Sequence, residues 1–335
     1  MESTVTLAQV ARAAGVSAST VSRILNGTAR VSARKREAVE RTLAQLNYRP
    51  NVLARGLASG KTMSIGVLTQ DISSPFYGDT LRGLEQGLEG SGYHPIVISG
   101  HWRAQEETEA LDFLISRQVD ALIVLGGVAP DDRLQEVAAA LPLVALGRSV
   151  PGLEEQCLRL DNRSGAYAAT RHLIELGHRS IAHIVGVPSH RDAQERLAGY
   201  RAALEDAGLP FDPELVQEGD FLEPSGFLAA TRLIDGRRLF TAVFAANDQM
   251  AYGARLALYR RGLRVPEDVS LVGFDDLPGS AFTTPPLTTI RQPTHEMGLA
   301  AAQCALRLLR GDLPWLPPLA TGLTVRESTA RRRGV

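Results

Sequence analysis

From Ser64 onward the sequence alternates short apolar runs with longer amphipathic stretches, a rhythm that few architectures accommodate. Strands are predicted at residues 64–69, 95–99, 121–125 and 143–146, and in a second series at 158–160, 181–185, 241–245 and 270–274. Helical spacing between them covers 75–89, 104–117, 164–176, 191–207 and 249–260. The strands are apolar along their length, the pattern of strands covered on both faces, whereas a one-sided sheet alternates. The chain therefore predicts an α/β architecture with two open, doubly wound parallel sheets, the break falling near Asp161. Ligands of such sheets sit beyond the carboxyl ends of the strands.

The first 61 residues have a different texture. Thr6 and Gln9 are spaced as a capping box, and Leu7, Val10 and Ala11 follow at helical spacing. Gly15 interrupts that helix, and Ser17 can cap a second one that runs to Leu25 and ends at Asn26-Gly27. A third helix, starting near Ser32, turns Val39, Leu43 and Leu46 inward. Small Ala11 and Ala14 let two helices cross closely, while Val10, Val16 and Val21 fill a small core. This is the geometry of a helix-turn-helix in a three-helix headpiece. The outer face of the second helix presents Ala18, Ser19, Ser22 and Arg23 to a major groove. Arg23 can pair with guanine through two hydrogen bonds, whereas Ala18 and Ser19 offer only a methyl contact or one hydroxyl bond.

Charge is distributed to match. Residues 1–61 hold ten Lys/Arg against three acids, a balance of +7 that the net charge of −1 conceals. A basic end on an acidic body suits a polyanionic partner. Charge alone fits a solvated basic face equally well, and the helix pattern decides between them.

Several classes are excluded. No apolar stretch reaches the ~18 residues of a membrane helix, and the first residues do not form a secretory signal. Cys157 and Cys304 have no metal or redox spacing, which fits a reducing, cytoplasmic location. Gly56 to Thr62 approaches a phosphate loop, but its glycines are one residue too close and it precedes a strand. His295-Glu296 begins a zinc-protease pattern that fails at Leu299. Neither a dinucleotide fingerprint nor a nucleophile elbow occurs, so the chain is read as no enzyme, with no cofactor and no metal.

The run Thr6 to Asn26, with Val31-Ser32, Arg36-Glu37, Leu46-Asn47-Tyr48 and Pro50-Asn51, resembles the lactose/galactose-repressor (LacI/GalR) family of bacterial transcription regulators. The likeness continues through Ser74-Pro75-Phe76-Tyr77, Arg196 to Tyr200, Ala246-Asn247-Asp248, Gly273-Phe274-Asp275-Asp276 and Pro286 to Ile290, so it spans essentially the whole chain. Gly147-Arg148, Leu160 to Ala166 and Ala169 to Ile174 stand nearest the galactose-repressor branch. The resemblance implies a headpiece at 1–46 and a hinge segment at 47–61. It implies a periplasmic-binding-protein-like body, with one lobe from 62–160 and 291–320 and the other from 161–290 and 321–335.

Position by position, the resemblance places Ala18, Ser19 and Arg23 at base edges and Thr6, Ser17, Asn26, Arg30 and Ser32 on phosphates. A plain helix cap is the competing role for Ser17. Leu57 matches the leucine of a hinge helix that wedges into the minor groove, against the plainer reading of a core leucine. For an effector, the resemblance points to Phe76, Tyr77, His190, Asp192, Arg196, Phe221, Asn247 and Asp275. Asp275 and Asn247 suit hydroxyl groups, the Arg196 fork can bridge two oxygens, and Phe76, Tyr77, Trp102 or Phe221 can cover an apolar sugar face. Trp102 and Arg148 join as cleft residues. Packing at the lobe hinge competes for Trp102, and surface positions compete for Arg148, His190 and Asp192.

The expected protein is a sequence-specific regulator, in the repressor mould, whose operator affinity an effector controls allosterically. Its partners are inverted-repeat operator DNA, a second copy in a homodimer, and a sugar (a hexose or glycoside), with no membrane. A nucleobase effector and a solute-binding protein of the same body fold are the alternatives.

Overall fold

The computed structural model describes residues 5–25, 31–46 and 61–332. In the N-terminal unit, α1 (Leu7–Ala13), α2 (Ala18–Leu25) and α3 (Ala33–Gln45) pack around Val10, Ala11, Val21, Ile24 and Val39. The capping box at α1 is formed. The Gln9 amide donates to Thr6 Oγ1 at 3.3 Å, and the Thr6 amide donates to Gln9 Oε1 at 2.7 Å. Gly15 makes the α1–α2 turn at φ +66°, a conformation that costs glycine little and an L side chain more. Val16, Leu43 and Leu46 pack at the rim of this core, partly exposed, because three short helices enclose little volume.

The other unit contains two sheets. The first runs in the order β2 (His94–Ser99), β1 (Ser64–Thr69), β3 (Ala121–Leu125), β4 (Leu143–Leu146), β5 (Cys157–Leu158). The second runs β11 (Gly322–Thr324), β10 (Thr288–Arg291), β9 (Ser270–Asp275), β8 (Ala242–Ala245), β6 (Ile181–Val185), β7 (Val216–Glu218). Setting β11 aside, each sheet has the same doubly wound order, its first two strands reversed relative to the rest. β10 through β7 pair in parallel, and β11 adds to the edge antiparallel to β10. Every residue of β3, β4, β6, β8 and β9 is buried, which explains their mainly apolar character; His183, Ser270 and Asp275 are the polar exceptions.

Helices cover both sheets: α4 (Pro75–Leu88), α5 (Ala104–Ser116), α6 (Asp131–Ala140), α7 (Asn162–Glu175), α8 (Arg191–Asp206), α9 (Glu223–Asp235), α10 (Asp248–Arg260) and α11 (Thr294–Leu309). α4 and α11 touch backbone to backbone. A Cβ on Gly83 would stand 1.9 Å from the His295 carbonyl oxygen, and one on Gly298 would stand 1.9 Å from that of Thr80. Among the described residues no helix is long and apolar enough to cross a membrane.

The chain passes between the two lobes after β5, after β10 and before β11. β7, β10, β11, α6, α9 and α11 lie outside the apolar pattern read from the sequence. β10 shows why: Thr288 and Thr289 look polar, yet both are fully buried. Thr289 donates to Asp248 Oδ1 at 2.5 Å, and Thr288 Oγ1 accepts the Arg326 amide at 2.9 Å. Partners far along the chain satisfy both hydroxyls, so burial carries no penalty.

Candidate functional site: a groove-reading helix and an interlobe cleft

In the headpiece, Val21 and Ile24 turn α2 toward the core, leaving Ala18, Ser19 and Arg23 exposed and Ser22 half-buried on the other face. Ser17 caps the helix: its Oγ accepts the Thr20 amide at 3.2 Å and lies 2.9 Å from the Ser19 hydroxyl. Ser17 and Ser19 thus form one hydroxyl pair at the exposed N-terminus of α2, where donors face outward. Thr6 is engaged in its capping box. Ser32 sits exposed at the N-cap position of α3, its side chain making no capping bond. Asn26, Arg30 and Leu57 lie outside the described residues.

In the body, the carboxyl ends of the strands converge on a cavity of about 40 Å³. Phe76, Tyr77, Trp102 and Asp192 line it, with Thr80, Leu125, Gly126, Leu146, Gly147, Arg159, Leu160, Asn162, Gln292 and Met297. That space holds a water or two. Arg196, rising from α8, is buried beside it. Its Nε donates to Asn162 Oδ1 at 2.8 Å, its Nη1 donates to the Ala246 carbonyl at 2.6 Å, and Nη1 stands 3.8 Å from Asp275 Oδ1. The guanidinium lies 3.9 Å from the centre of the Phe274 ring, a cation–π contact that a planar cation suits well.

Around Arg196 the polar groups form a line. Asn162 Nδ2 donates to Asp192 Oδ1 at 3.0 Å, and Gln292 Nε2 donates to Asp275 Oδ1 at 2.7 Å. Burial raises the pKa of Asp275 and of Asp192, and Arg196 pulls each part of the way back. Burial, reinforced by the charge of Asp192, holds the Tyr77 hydroxyl protonated well above the usual tyrosine range. The trio Asp192–Arg196–Asp275 sets one guanidinium between two carboxyl groups, an arrangement suited to ligand hydroxyl groups.

Rings close the other side. Trp102 stacks on His190 with centroids 4.2 Å apart, and His190 lies 5.9 Å from Phe221 in a nearly parallel plane. His190 is 8% exposed, so it is not a surface residue, and burial lowers its pKa. Asn247 caps α10 by accepting the Met250 amide at 2.9 Å and donates to the Phe221 carbonyl at 2.9 Å. It therefore fixes Phe221, whose φ of +71° is strained for a side-chain-bearing residue.

Arg148 is placed neither on the surface nor in the cavity. Its Nη2 donates to the Ala129 carbonyl at 2.8 Å and to Asp131 at 2.5 Å, within its own lobe. Short-range pairing with Asp131 holds the guanidinium there.

Asn162 and Gln292 were missing from the sequence-derived set. Gln292 follows directly on β10 and Asn162 opens the helix after β5, and the rule that ligands gather at strand ends points to both.

A headpiece with an outward-facing recognition helix, joined in one chain to a two-lobe ligand cleft, defines a ligand-controlled DNA-binding regulator. Residues 6–51 match the family model for bacterial regulatory proteins, lacI family, and residues 170–329 match a periplasmic binding protein-like domain. The chain is 40% identical over 304 residues to the HTH-type transcriptional regulator GalR of Escherichia coli K12, covering 90% of this chain and 89% of the relative. It is 36% identical to DegA of Bacillus subtilis 168, over 97% and 98% of the two chains. Among solved structures, the lac repressor dimer bound to operator and the anti-inducer ONPF superposes with a TM-score of 0.87 at 32% identity, over 98% of this chain and 100% of that one. A CelR–cellobiose complex gives 0.72 at 36% identity, over 97% and 99%. The chain belongs to the LacI family of bacterial transcriptional regulators.

Proposed function

We propose that two copies of this chain bind an inverted-repeat operator through their headpieces, and that a sugar held between the lobes sets operator affinity. The observation that carries the sugar reading is the buried Arg196 fork, bonded to Asn162 and facing Asp275, with Asp192 and Gln292 completing the line. Donors and acceptors alternate along this line as they do around a polyol. The CelR–cellobiose relative supports the same class of effector. Asn162 and Gln292 also belong to segments that carry the chain between lobes, so a ligand bound here acts on the hinge directly. Its effect on DNA equals its differential affinity for two lobe arrangements, typically ~1–3 kcal/mol.

The test is a thermal-shift panel of hexoses, glycosides and nucleobases, followed by operator gel shifts with each hit. A cognate sugar at 100-fold its Kd adds ~2.7 kcal/mol of stability and changes operator affinity. If no sugar moves either quantity, the sugar reading is wrong, and a nucleobase hit would replace it.

A further inference from the structure

The first sheet has two ends, and only its carboxyl end faces the cleft. β1 and β3 lie side by side with Ile65 opposite Ala121, so the residues that precede the two strands are neighbours. Asp120 stands just before β3, and its carboxylate takes the two consecutive amides just before β1. The Thr62 amide donates to Oδ1 at 3.0 Å, and the Met63 amide donates to Oδ2 at 2.9 Å. The Thr62 hydroxyl donates to the Gln118 carbonyl at 2.8 Å, and the Asp120 amide donates to the Ser64 carbonyl at 2.8 Å. Consecutive amides turned to one side cradle an anion, and serving both takes the two oxygens of a carboxylate. Met63 at φ +56° and Gln118 at φ +55° hold a conformation that L side chains rarely adopt, and these bonds keep them there. The chain enters β1 through Thr62 and Met63, so the segment that joins the headpiece to the sheet ends in this clamp.

The opposite ends of the same strands reach the cleft. β3 leads into Gly126, which lines the cavity, and β1 leads into Gln70, whose Oε1 accepts the Trp102 amide at 2.9 Å. Between the two ends, Ile65–Thr69 and Ala121–Leu125 are buried without exception. At ~3.3 Å per residue, the six residues of β1 set the clamp about 20 Å from the cleft. Close-packed strands shift as units, so a displacement at one end arrives at the other.

We propose that Asp120 is a positioning residue for operator recognition: its carboxylate fixes the direction in which the chain leaves the sheet toward the headpiece, and movement of the first lobe reaches the headpiece through it. The proposal rests on operator binding by paired headpieces and not on the identity of the effector. Without the clamp each headpiece still meets phosphates, but the second is no longer held where its half-site lies, and its effective concentration there falls.

The experiment uses the full-length chain and an operator duplex that the wild type selects from a random pool. In Asp120→Ala, affinity for that duplex should fall about tenfold while affinity for a scrambled duplex stays within about twofold. Asp120→Asn keeps one acceptor oxygen and should fall between the two. Trypsin gives a readout without DNA. Cleavage of the Lys61–Thr62 bond, followed by mass spectrometry, should be about tenfold faster in Asp120→Ala, because Asp120 holds the scissile amide. A purely structural Asp120 would lower the melting temperature and weaken both duplexes alike, which overturns the proposal. An unchanged operator preference in Asp120→Ala overturns it whatever trypsin shows. Should Asp120→Ala not fold, Asp120→Asn decides by the same two readouts. If the wild type selects no duplex, this proposal and the operator reading fall together.

Discussion

Gln292 Nε2 donates to Asp275 Oδ1 at 2.7 Å, joining the segment that leaves one lobe after β10 to a buried carboxylate at the end of β9. Asn162 does the same at the crossing after β5, accepting from Arg196 and donating to Asp192. The crossings and the candidate ligand contacts are therefore tied together by hydrogen bonds at each end and by the 3.8 Å Arg196–Asp275 ion pair between them. A ligand that competes for Asp275 or Arg196 alters what holds the hinge.

Gln292→Ala should therefore weaken the coupling between sugar and operator. With saturating sugar, the ratio of operator affinities with and without ligand moves toward one. A ratio equal to the wild type would disconnect the crossing from control.

Ser17 and Arg23 separate by readout. Ser17→Ala removes the α2 cap at a cost of about 1 kcal/mol and lowers the melting temperature of the headpiece. Arg23→Ala loses about 1–3 kcal/mol of discrimination between operator and scrambled DNA, measured by competition gel shift. Equal loss on both DNAs would make Arg23 a phosphate contact.

Operator binding should weaken steeply with salt, because two basic headpieces displace several counterions. A log–log slope shallower than about −3 contradicts the paired arrangement.

Two glycines of α4 should respond oppositely. Gly83→Ala forces a Cβ into the His295 carbonyl and costs about 3 kcal/mol or more, read in a denaturant titration. Gly78 has open space around its Cβ position, and Gly78→Ala should stabilise by about 0.4–1 kcal/mol. Equal effects would mean that α4 and α11 are not in backbone contact.

His183 adds a pH dependence. It is buried between Tyr200 and Phe244, Nδ1–H donates to the Phe244 carbonyl at 2.8 Å, and Nε2 has no partner. Burial lowers its pKa from 6.5 to about 4. Below 6.5 the unfolded chain takes up a proton that the folded chain refuses, so stability falls as pH drops from 6.5 to about 4, by about 3 kcal/mol for this group. Burial raises the pKa of Asp275 and Asp192, a contribution of opposite sign, so the measurement is the difference between wild type and His183→Gln. If that difference stays constant from pH 7 to pH 4, the histidine is not the source.

The sequence by itself determined most of the elements and the two-part plan, though not β7, β10, β11, α6, α9 or α11. Continuous apolar runs with amphipathic stretches between them admit only covered parallel strands, and the spacing of Val10, Val16 and Val21 around Gly15 admits a helix-turn-helix. Both are local consequences of periodicity. The candidate site was legible where its residues stand in distinctive runs, as Arg196 and Asp275 do, and the structure places those two beside one another. Only the tertiary structure decided which groups meet. Asn162 and Gln292 lie 34 and 17 positions from the partners they bond. Trp102 finds His190 across a cleft, and Arg148 bonds Asp131 and the Ala129 carbonyl within its own lobe. Hydrogen bonds and ring contacts are short-ranged in space but indifferent to distance along the chain, so no local pattern encodes them.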